Sequence, residues 1–254
     1  MTPSRQQVAL VTGAAKRIGR VIALALARDG WDVAVHYGQS QEEALALVAQ
    51  IQAMGRRALA LQCDLASEAG VRALIGQATQ LGPVVCVVNN ASLFQHDVAE
   101  SFSMASLDTH MHANVAAPIL LAQALYQATP PDQQAVVINL LDQKLYNPNP
   151  DFLSYTLSKA ALLSATTLLA QALAPRVRVV GVAPGITMMS GEQTEAEFDK
   201  AHRVTPLGKS STPDDIASAV CFAATATAMT GTTLLVDGGQ HLIPLQRDVM
   251  FIAK

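Results

Sequence analysis

The 254-residue sequence predicts an α/β protein: a single-domain, doubly wound, mostly parallel seven-stranded sheet with helices on both faces. Three observations predict it. Seven short runs rich in β-branched residues recur along the whole chain, longer Ala- and Leu-rich stretches separate them, and Gly or Pro punctuates the joins at Gly30, Gly55, Gly82-Pro83 and Pro184-Gly185. No linker or shift in composition divides the chain, so residues 1–254 read as one domain.

The strand runs lie at 8–12, 32–36, 58–62, 84–89, 135–141, 176–182 and 232–236. Several are apolar on both faces, as strands of a buried parallel sheet are. Helical segments are expected at 18–29, 41–54, 67–80, 107–128, 155–173 and 213–224. The least regular stretches, 142–153 and 186–211, both follow strand ends, on the edge where open α/β sheets bind ligands. Residues 186–211 read as a mobile loop over a substrate pocket.

Half the residues are hydrophobic, 15% are charged and the formal net charge is −3, with no long run of one sign. That balance supports a large core and argues against nucleic-acid or membrane partners. The three cysteines, Cys63, Cys86 and Cys221, are far apart in apolar stretches and read as buried free thiols. Neither they nor the histidines have ligand-like spacing, so no metal is assigned. The first apolar run starts at Val8 and soon meets Gly13, too short for a signal peptide or a spanning helix. A reducing cytoplasm is the default compartment.

After the first strand comes Thr12-Gly13-Ala14-Ala15-Lys16-Arg17-Ile18-Gly19, then an apolar helix. Strand, glycine turn and helix form the context of a dinucleotide fingerprint. Gly13 permits a tight turn and Gly19 a close helix–sheet approach, while the helix N-terminus offers N–H groups to a pyrophosphate. The second strand ends Val35-His36-Tyr37-Gly38-Gln39-Ser40, without the carboxylate that holds a ribose 2′-hydroxyl. Lys16 is placed for a 2′-phosphate, with His36 and Ser40 adding hydrogen bonds, so NADPH/NADP is the expected cofactor.

Two further motifs follow. Asn89-Asn90-Ala91-Ser92 closes the fourth strand. Tyr155-Thr156-Leu157-Ser158-Lys159 places a phenol and an ammonium on one helix face. The cation favours tyrosinate while burial opposes it, so a lowered phenol pKa is expected on balance. Asn114, an amide in an apolar helix, needs buried partners.

In this order the motifs resemble the short-chain dehydrogenase/reductase family, a Rossmann-type fold, over nearly the whole chain. The resemblance implies that Tyr155 and Lys159 are catalytic and that Asn114 holds a water linking the lysine to solvent. It implies that Asn89 braces the sheet and that Asp64, beside Leu65, bonds the adenine; Asp64 or a neighbour can equally cap the next helix. It also implies cofactor contacts from Gly13, Ile18, Gly19, Asn90, Ala91, Ser92, Pro184, Gly185 and Thr187.

Four positions resemble pteridine reductases in particular. Arg17 replaces the middle glycine of the family turn, Asp142 stands thirteen residues before the tyrosine where the family has serine, and Ser92 and Phe94 complete an Asn-Asn-Ala-Ser-x-Phe run. The resemblance implies that Arg17, Ser92, Phe94, Asp142 and Tyr155 contact a pterin or dihydrofolate-type substrate, with Phe94 stacking it. The other reading of Arg17 is a surface arginine, and of Phe94 a core ring. A homotetramer is implied, with the tail 240–254 reaching a neighbouring subunit. Two alternatives stay open: a carbonyl reductase of the 3-oxoacyl type, and a non-catalytic NADPH-binding regulator on the same fold.

Overall fold

The structure is a computed structural model that describes residues 7–189 and 194–252. Its strands are β1 (Val8–Val11), β2 (Asp32–Tyr37), β3 (Ala58–Gln62), β4 (Val84–Asn89), β5 (Ala135–Leu140), β6 (Val177–Pro184) and β7 (Thr233–Val236). They form one sheet in the order β3-β2-β1-β4-β5-β6-β7, and every neighbouring pair is parallel. The predicted fold class stands. The order reverses between β1 and β4, which leaves a crevice at the carboxyl ends of these strands.

Alternation along the strands builds two cores. On one face Ala9 and Val11 of β1 pack with α1 (Arg17–Arg28), α2 (Gln41–Ala53) and α8 (Pro213–Thr225). On the other, Val8 and Leu10 pack with α3 (Glu68–Ala78), α5 (Ala117–Ala128) and α6 (Leu153–Leu173). All four β1 residues have zero exposure, which is why the run carries no polar position.

Two departures from the expected elements bear on the site. The helix read as 107–128 is α4 (Met104–Met111), a π-helical turn at His112–Ala116 and α5. Asn114 sits in the π turn, a distortion that helices often carry at functional sites. The segment 186–211 also holds a helix, α7 (Glu195–Arg203), opened by a reciprocal cap between Thr194 and Glu197. That pattern of Thr followed three residues later by Glu is a helix-start signal that the polar composition masked. Residues 190–193 of the same segment lie outside the described residues. No helix among the described residues is long and apolar enough to cross a membrane.

Candidate active site

The glycine turn is built by side chains that serve it. Thr12 Oγ1 accepts the N–H groups of Asn90 and Ala91, both at 3.0 Å. Asn90 Nδ2 donates to Thr12 O (2.8 Å) and Gly13 O (3.2 Å). Gly13 adopts φ +60°, and its N–H donates to His36 Nδ1 at 3.0 Å. The other ring nitrogen of His36 faces Cys63 O at 3.1 Å, which makes it the protonated one. A Cβ on Gly19 would collide with the Gly13 carbonyl and lie 2.5 Å from Asn90 Nδ2, so only glycine allows α1 this close to β4.

This corrects the assignment of His36 to a phosphate. His36 is 2% exposed, its burial lowers its pKa, and both nitrogens are spent on the fold. It has nothing left for a phosphate. Asn90 lines the cavity, but its amide staples the turn rather than pointing to a ligand.

Helix α1 opens with no side-chain cap and no acid in its first turn, which leaves its N-terminal N–H groups and positive end to a ligand. Lys16 stands at this opening and is exposed, with Nζ 2.6 Å from Glu43 Oε1. Arg17 adopts φ +54°, the left-handed conformation of the glycine it replaces in the family pattern. Its Nη2 donates to Met189 O at 2.9 Å and draws the β6–α7 segment over the turn.

Farther along the edge, Ser40 precedes α2 without capping it. Asp64 Oδ1 accepts the Ala66 N–H, while Ser67 caps α3 through the Gly70 N–H. The alternative of Asp64 as the cap is thereby excluded. Leu65 packs against the α3–α5 core. Ser40, Asp64, Leu65 and His36 all lie outside the lining of the main cavity.

That cavity measures about 480 Å³. It brings Gly13, Lys16, Arg17, Ile18 and Gly19 together with Ala91, Ser92, Phe94, Asp142, Tyr155 and Lys159. Pro184, Gly185 and Thr187 form its far side. Thr187 Oγ1 is engaged with Gly185 O (2.8 Å) and Ser211 Oγ (2.7 Å). A Cβ on Gly185 would fall 2.8 Å from Asp237 Cβ and Gln240 Oε1, which explains the glycine after β6.

Tyr155 and Lys159 project from the first turns of α6. That helix has no capping side chain of its own, because Phe152 precedes it in a left-handed conformation at φ +57°. Asp97 replaces the cap from a distance. Its Oδ1 accepts the Ser154 N–H at 2.9 Å, Oδ2 accepts the Ser154 hydroxyl, and its backbone O accepts the Leu153 N–H at 3.1 Å. No local motif announces this role, and sequence reading missed it.

The Tyr155 hydroxyl donates to Asp142 Oδ2 at 2.7 Å, and Asp142 Oδ1 accepts the Lys144 N–H at 2.8 Å. Lys159 Nζ donates to Leu140 O at 2.7 Å and lies 5.7 Å from the Tyr155 ring centroid. Burial raises the Asp142 pKa above the usual carboxylate range. Burial, then repulsion from the Asp142 charge, drives Tyr155 well above the usual phenol value, and burial lowers Lys159 to about 8. The expected acidic phenol is therefore reversed: desolvation and the carboxylate together outweigh the ammonium, and Tyr155 stays protonated. The phenol can donate its proton, and Asp142 is the titratable group hydrogen-bonded to it.

Phe94 stacks on Phe152 with centroids 4.2 Å apart and meets the Tyr155 ring edge-on at 4.7 Å. It remains 41% exposed, so it is not a core ring. Ser92 Oγ reaches Leu93 O and Asn114 Oδ1, both at 3.3 Å. Asn114 Oδ1 also accepts the Leu93 N–H, and its Nδ2 donates to Leu93 O and Ser158 Oγ. Every hydrogen-bonding position of that amide is engaged within the chain. Asn114 thus locks the segment bearing Ser92 and Phe94 onto α6, with its side-chain amide fully used in the fold. Asn89 Nδ2 donates to Asn139 Oδ1 at 2.8 Å and so ties β4 to β5, in line with its expected bracing role.

Sequence reasoning also missed one whole wall. Asp248, Val249 and Met250 of the tail line the cavity with Gln240. The tail, expected to reach a neighbouring subunit, folds back on its own chain. Arg247 forms a bidentate pair with Asp151, and Lys144 Nζ lies 3.2 Å from Asp248 Oδ2.

The geometry can be set beside known proteins. Residues 7–200 match the family described as short chain dehydrogenase. An uncharacterized oxidoreductase of Methylorubrum extorquens is 34% identical, covering 94% of this chain and 99% of its own. A 3-oxoacyl-[acyl-carrier-protein] reductase of Staphylococcus aureus is also 34% identical, covering 92% and 98%. The structure of FolM alternative dihydrofolate reductase 1 from Brucella canis, complexed with NADP, superposes with a TM-score of 0.90 at 40% identity, covering 95% of this chain and 96% of that one. With the glycine turn, the tyrosine–lysine pair and the strand order agreeing over this length, the chain belongs to the short-chain dehydrogenase family.

Proposed function

We propose that the protein is an NADP(H)-dependent oxidoreductase that reduces a pterin or dihydrofolate-type substrate. The observation that carries this reading is the Tyr155–Asp142 hydrogen bond of 2.7 Å beneath the edge of Phe94. An acid backed by a second acid suits protonation of a ring nitrogen, whereas a carbonyl oxygen is better served by a neutral hydroxyl beside the tyrosine. The solved relative from Brucella canis, named a dihydrofolate reductase and complexed with NADP, supports the same direction.

The residues fit the cofactor. The cradle at Gly13 and Gly19 admits no Cβ, the uncapped α1 suits a pyrophosphate, and Lys16 is placed for a 2′-phosphate. Exchanging the exposed Glu43 for a phosphate costs Lys16 little, since exposed ion pairs are weak. Asp32 sits at the opposite end of β2, held by Arg57, and places no carboxylate near the ribose. NADPH, when bound, supplies a hydride. Phe94 offers a flat apolar face to a planar ring. Tyr155 gives its proton to the nitrogen adjoining the reduced carbon, so that C=N becomes CH–NH. Asp142 then returns a proton to Tyr155, and the Lys159 ammonium offsets the negative charge left behind. Arg17 and Ser92 border the same space.

The expected homotetramer belongs to this proposal. Leu157 and Leu168 are exposed, eleven residues apart, and share one face of α6, which suits burial against a second copy.

The second reading, a 3-oxoacyl reductase, is favoured by relatives of that name from Staphylococcus aureus, Staphylococcus epidermidis and Synechocystis, 32–34% identical over more than nine tenths of this chain. The assay is NADPH oxidation with dihydrobiopterin and dihydrofolate, set against an acetoacetyl thioester. Turnover of the pterins that drops on Phe94→Ala is the expected result. Activity confined to the thioester and indifferent to Phe94→Ala would favour the second reading, and NADPH binding without turnover of any of them would favour a regulator.

A further inference from the structure

We infer that the C-terminal strap, clamped by Arg247 onto Asp151, sets the size of substrate that the cavity accepts. The inference deepens the proposed function, because it concerns the same cavity. Asp151 is 1% exposed, in a loop whose preceding residues, 145–150, are exposed or half-buried. A buried carboxylate requires partners, and among the described residues its oxygens accept hydrogen bonds from the tail, with the Lys144 ammonium adding a favourable charge. Arg247 Nε lies 3.0 and 2.9 Å from its two oxygens, Arg247 Nη2 lies 2.8 Å from Oδ1, and the Asp248 N–H donates to Oδ2 at 2.7 Å. The planar guanidinium matches the carboxylate in a way no ammonium can.

The clamp reaches the chemistry by two routes. Asp151 directly precedes Phe152, the ring on which Phe94 is stacked, and Phe251 of the tail lies against Phe152 with centroids 6.1 Å apart. Lys144 forms the second route. Its Nζ donates to Asp151 O at 2.6 Å and lies 3.2 Å from Asp248 Oδ2, while its N–H holds Asp142 Oδ1. The strap is thereby fixed to the aromatic shelf and to the acid behind Tyr155. In this position Asp248, Val249 and Met250 close one side of the cavity, and its volume of about 480 Å³ is shared by cofactor and substrate, since the glycine turn and Tyr155 both line it. A compact bicyclic ring is admitted, and a substrate carrying a long substituent is disfavoured.

The test compares two substrates of the same chemistry and different size, dihydrobiopterin and dihydrofolate. It measures kcat/KM for each in the wild-type enzyme, Arg247→Ala and Arg247→Lys, with amide hydrogen exchange over 247–250 as a second readout. In Arg247→Ala we expect the dihydrofolate-to-dihydrobiopterin ratio of kcat/KM to rise about tenfold and the Asp248 amide to lose protection. KM for dihydrobiopterin should rise with kcat held within threefold, and Arg247→Lys should fall between. Since the change takes the guanidinium from the Asp151 carboxylate, Arg247→Leu combined with Asp151→Asn serves as the variant without a charge that has lost its counter-ion. An unchanged ratio in a folded variant, or an Asp248 amide that keeps its protection, overturns the inference. If the wild-type enzyme reduces neither pterin, the proposed function fails first. The size ratio is then read from ethyl acetoacetate and acetoacetyl-CoA, together with the hydrogen exchange, and decides the strap separately.

Discussion

The two sides of the cavity are made differently. On the glycine-turn side, the polar side chains face inward onto backbone. Thr12, His36 and Asn90 hold the turn, and apart from the Lys16 and Arg17 side chains the surface left to a ligand is peptide N–H and space kept open by glycine. On the other side the surface is side chains drawn from separate stretches: Phe94 after β4, Asp142 after β5, Tyr155 on α6 and Asp248 on the tail. A ligand common to many enzymes can be held by shape and backbone dipoles, whereas proton transfer needs groups of tuned pKa, which only side chains supply. Substitutions on the first side should therefore disturb folding and cofactor binding together. Those on the second side should change turnover while the fold stands.

Tyr155→Phe is the most direct attempt to break that division. It removes one hydroxyl and keeps the ring that meets Phe94. We expect kcat to fall by about 10²–10⁴-fold, the usual worth of a positioned general acid. NADPH affinity, followed by its fluorescence, should stay within twofold. Retained turnover would mean that the proton comes from elsewhere in the cavity.

The pH profile probes the same side more gently. Burial lowers Lys159 to about 8 from an ordinary value of 10.5. The ammonium that offsets charge on Tyr155 and Asp142 is thus present below pH 8 and lost above it. Reduction should slow as pH rises through about 8, approaching tenfold per unit. Stability should move the other way. The unfolded chain keeps this proton up to the ordinary value and so binds more protons between about 8 and 10.5, so this group's contribution to folding rises over that window. Lys159→Met should flatten both limbs. A rate that climbs through pH 8 would show that the neutral amine is the active form.

How much of this was legible in the sequence follows the same division. The turn at Gly13–Gly19, the Tyr155–Lys159 pair and Asn89 are local patterns, and the doubly wound class follows from the alternation of strand and helix runs, though the strand order comes from the structure. Asn89 was read as a sheet brace and bonds Asn139 across β4 and β5. The misreadings come from long-range partners. His36 was assigned to a phosphate because nothing local shows that its ring spans Gly13 and Cys63. The bonds of the Asn114 side chain to Leu93 and Ser158 were equally hidden, since they join positions 21 and 44 residues apart. The Asp97 cap on α6 and the Arg247–Asp151 clamp join positions 57 and 96 apart. A patterned sequence reports periodicity and neighbours; it carries no label for such pairings. The direction of the Tyr155 shift was misjudged for a related reason, since desolvation depends on how the whole cavity closes.

Phe94→Ala sharpens the comparison within the second side. The ring is 41% exposed, so its loss should cost the fold little. We expect KM for a pterin to rise about tenfold, equal to roughly 1.4 kcal/mol of lost stacking, with kcat reduced less. A KM that does not move would show that the substrate does not stack on this ring.

The smallest effect concerns the one residue that belongs to both sides. Arg17 occupies a turn position at φ +54°, where a Cβ is strained by about 1–2 kcal/mol. Its guanidinium nevertheless crosses to Met189 O on the substrate side. Arg17→Gly relieves the strain but gives the unfolded chain more freedom, which takes back about 0.5–1 kcal/mol. The net expectation is a gain of up to about 1 kcal/mol in stability, read as a rise in Tm. It should come with a higher KM for substrate, because the β6–α7 segment loses its tie. Opposite movements of Tm and substrate affinity would mean that the arginine is kept for the site and against the local conformation. A fall in Tm would mean that its contacts outweigh the strain and that this corner is held by side chains after all.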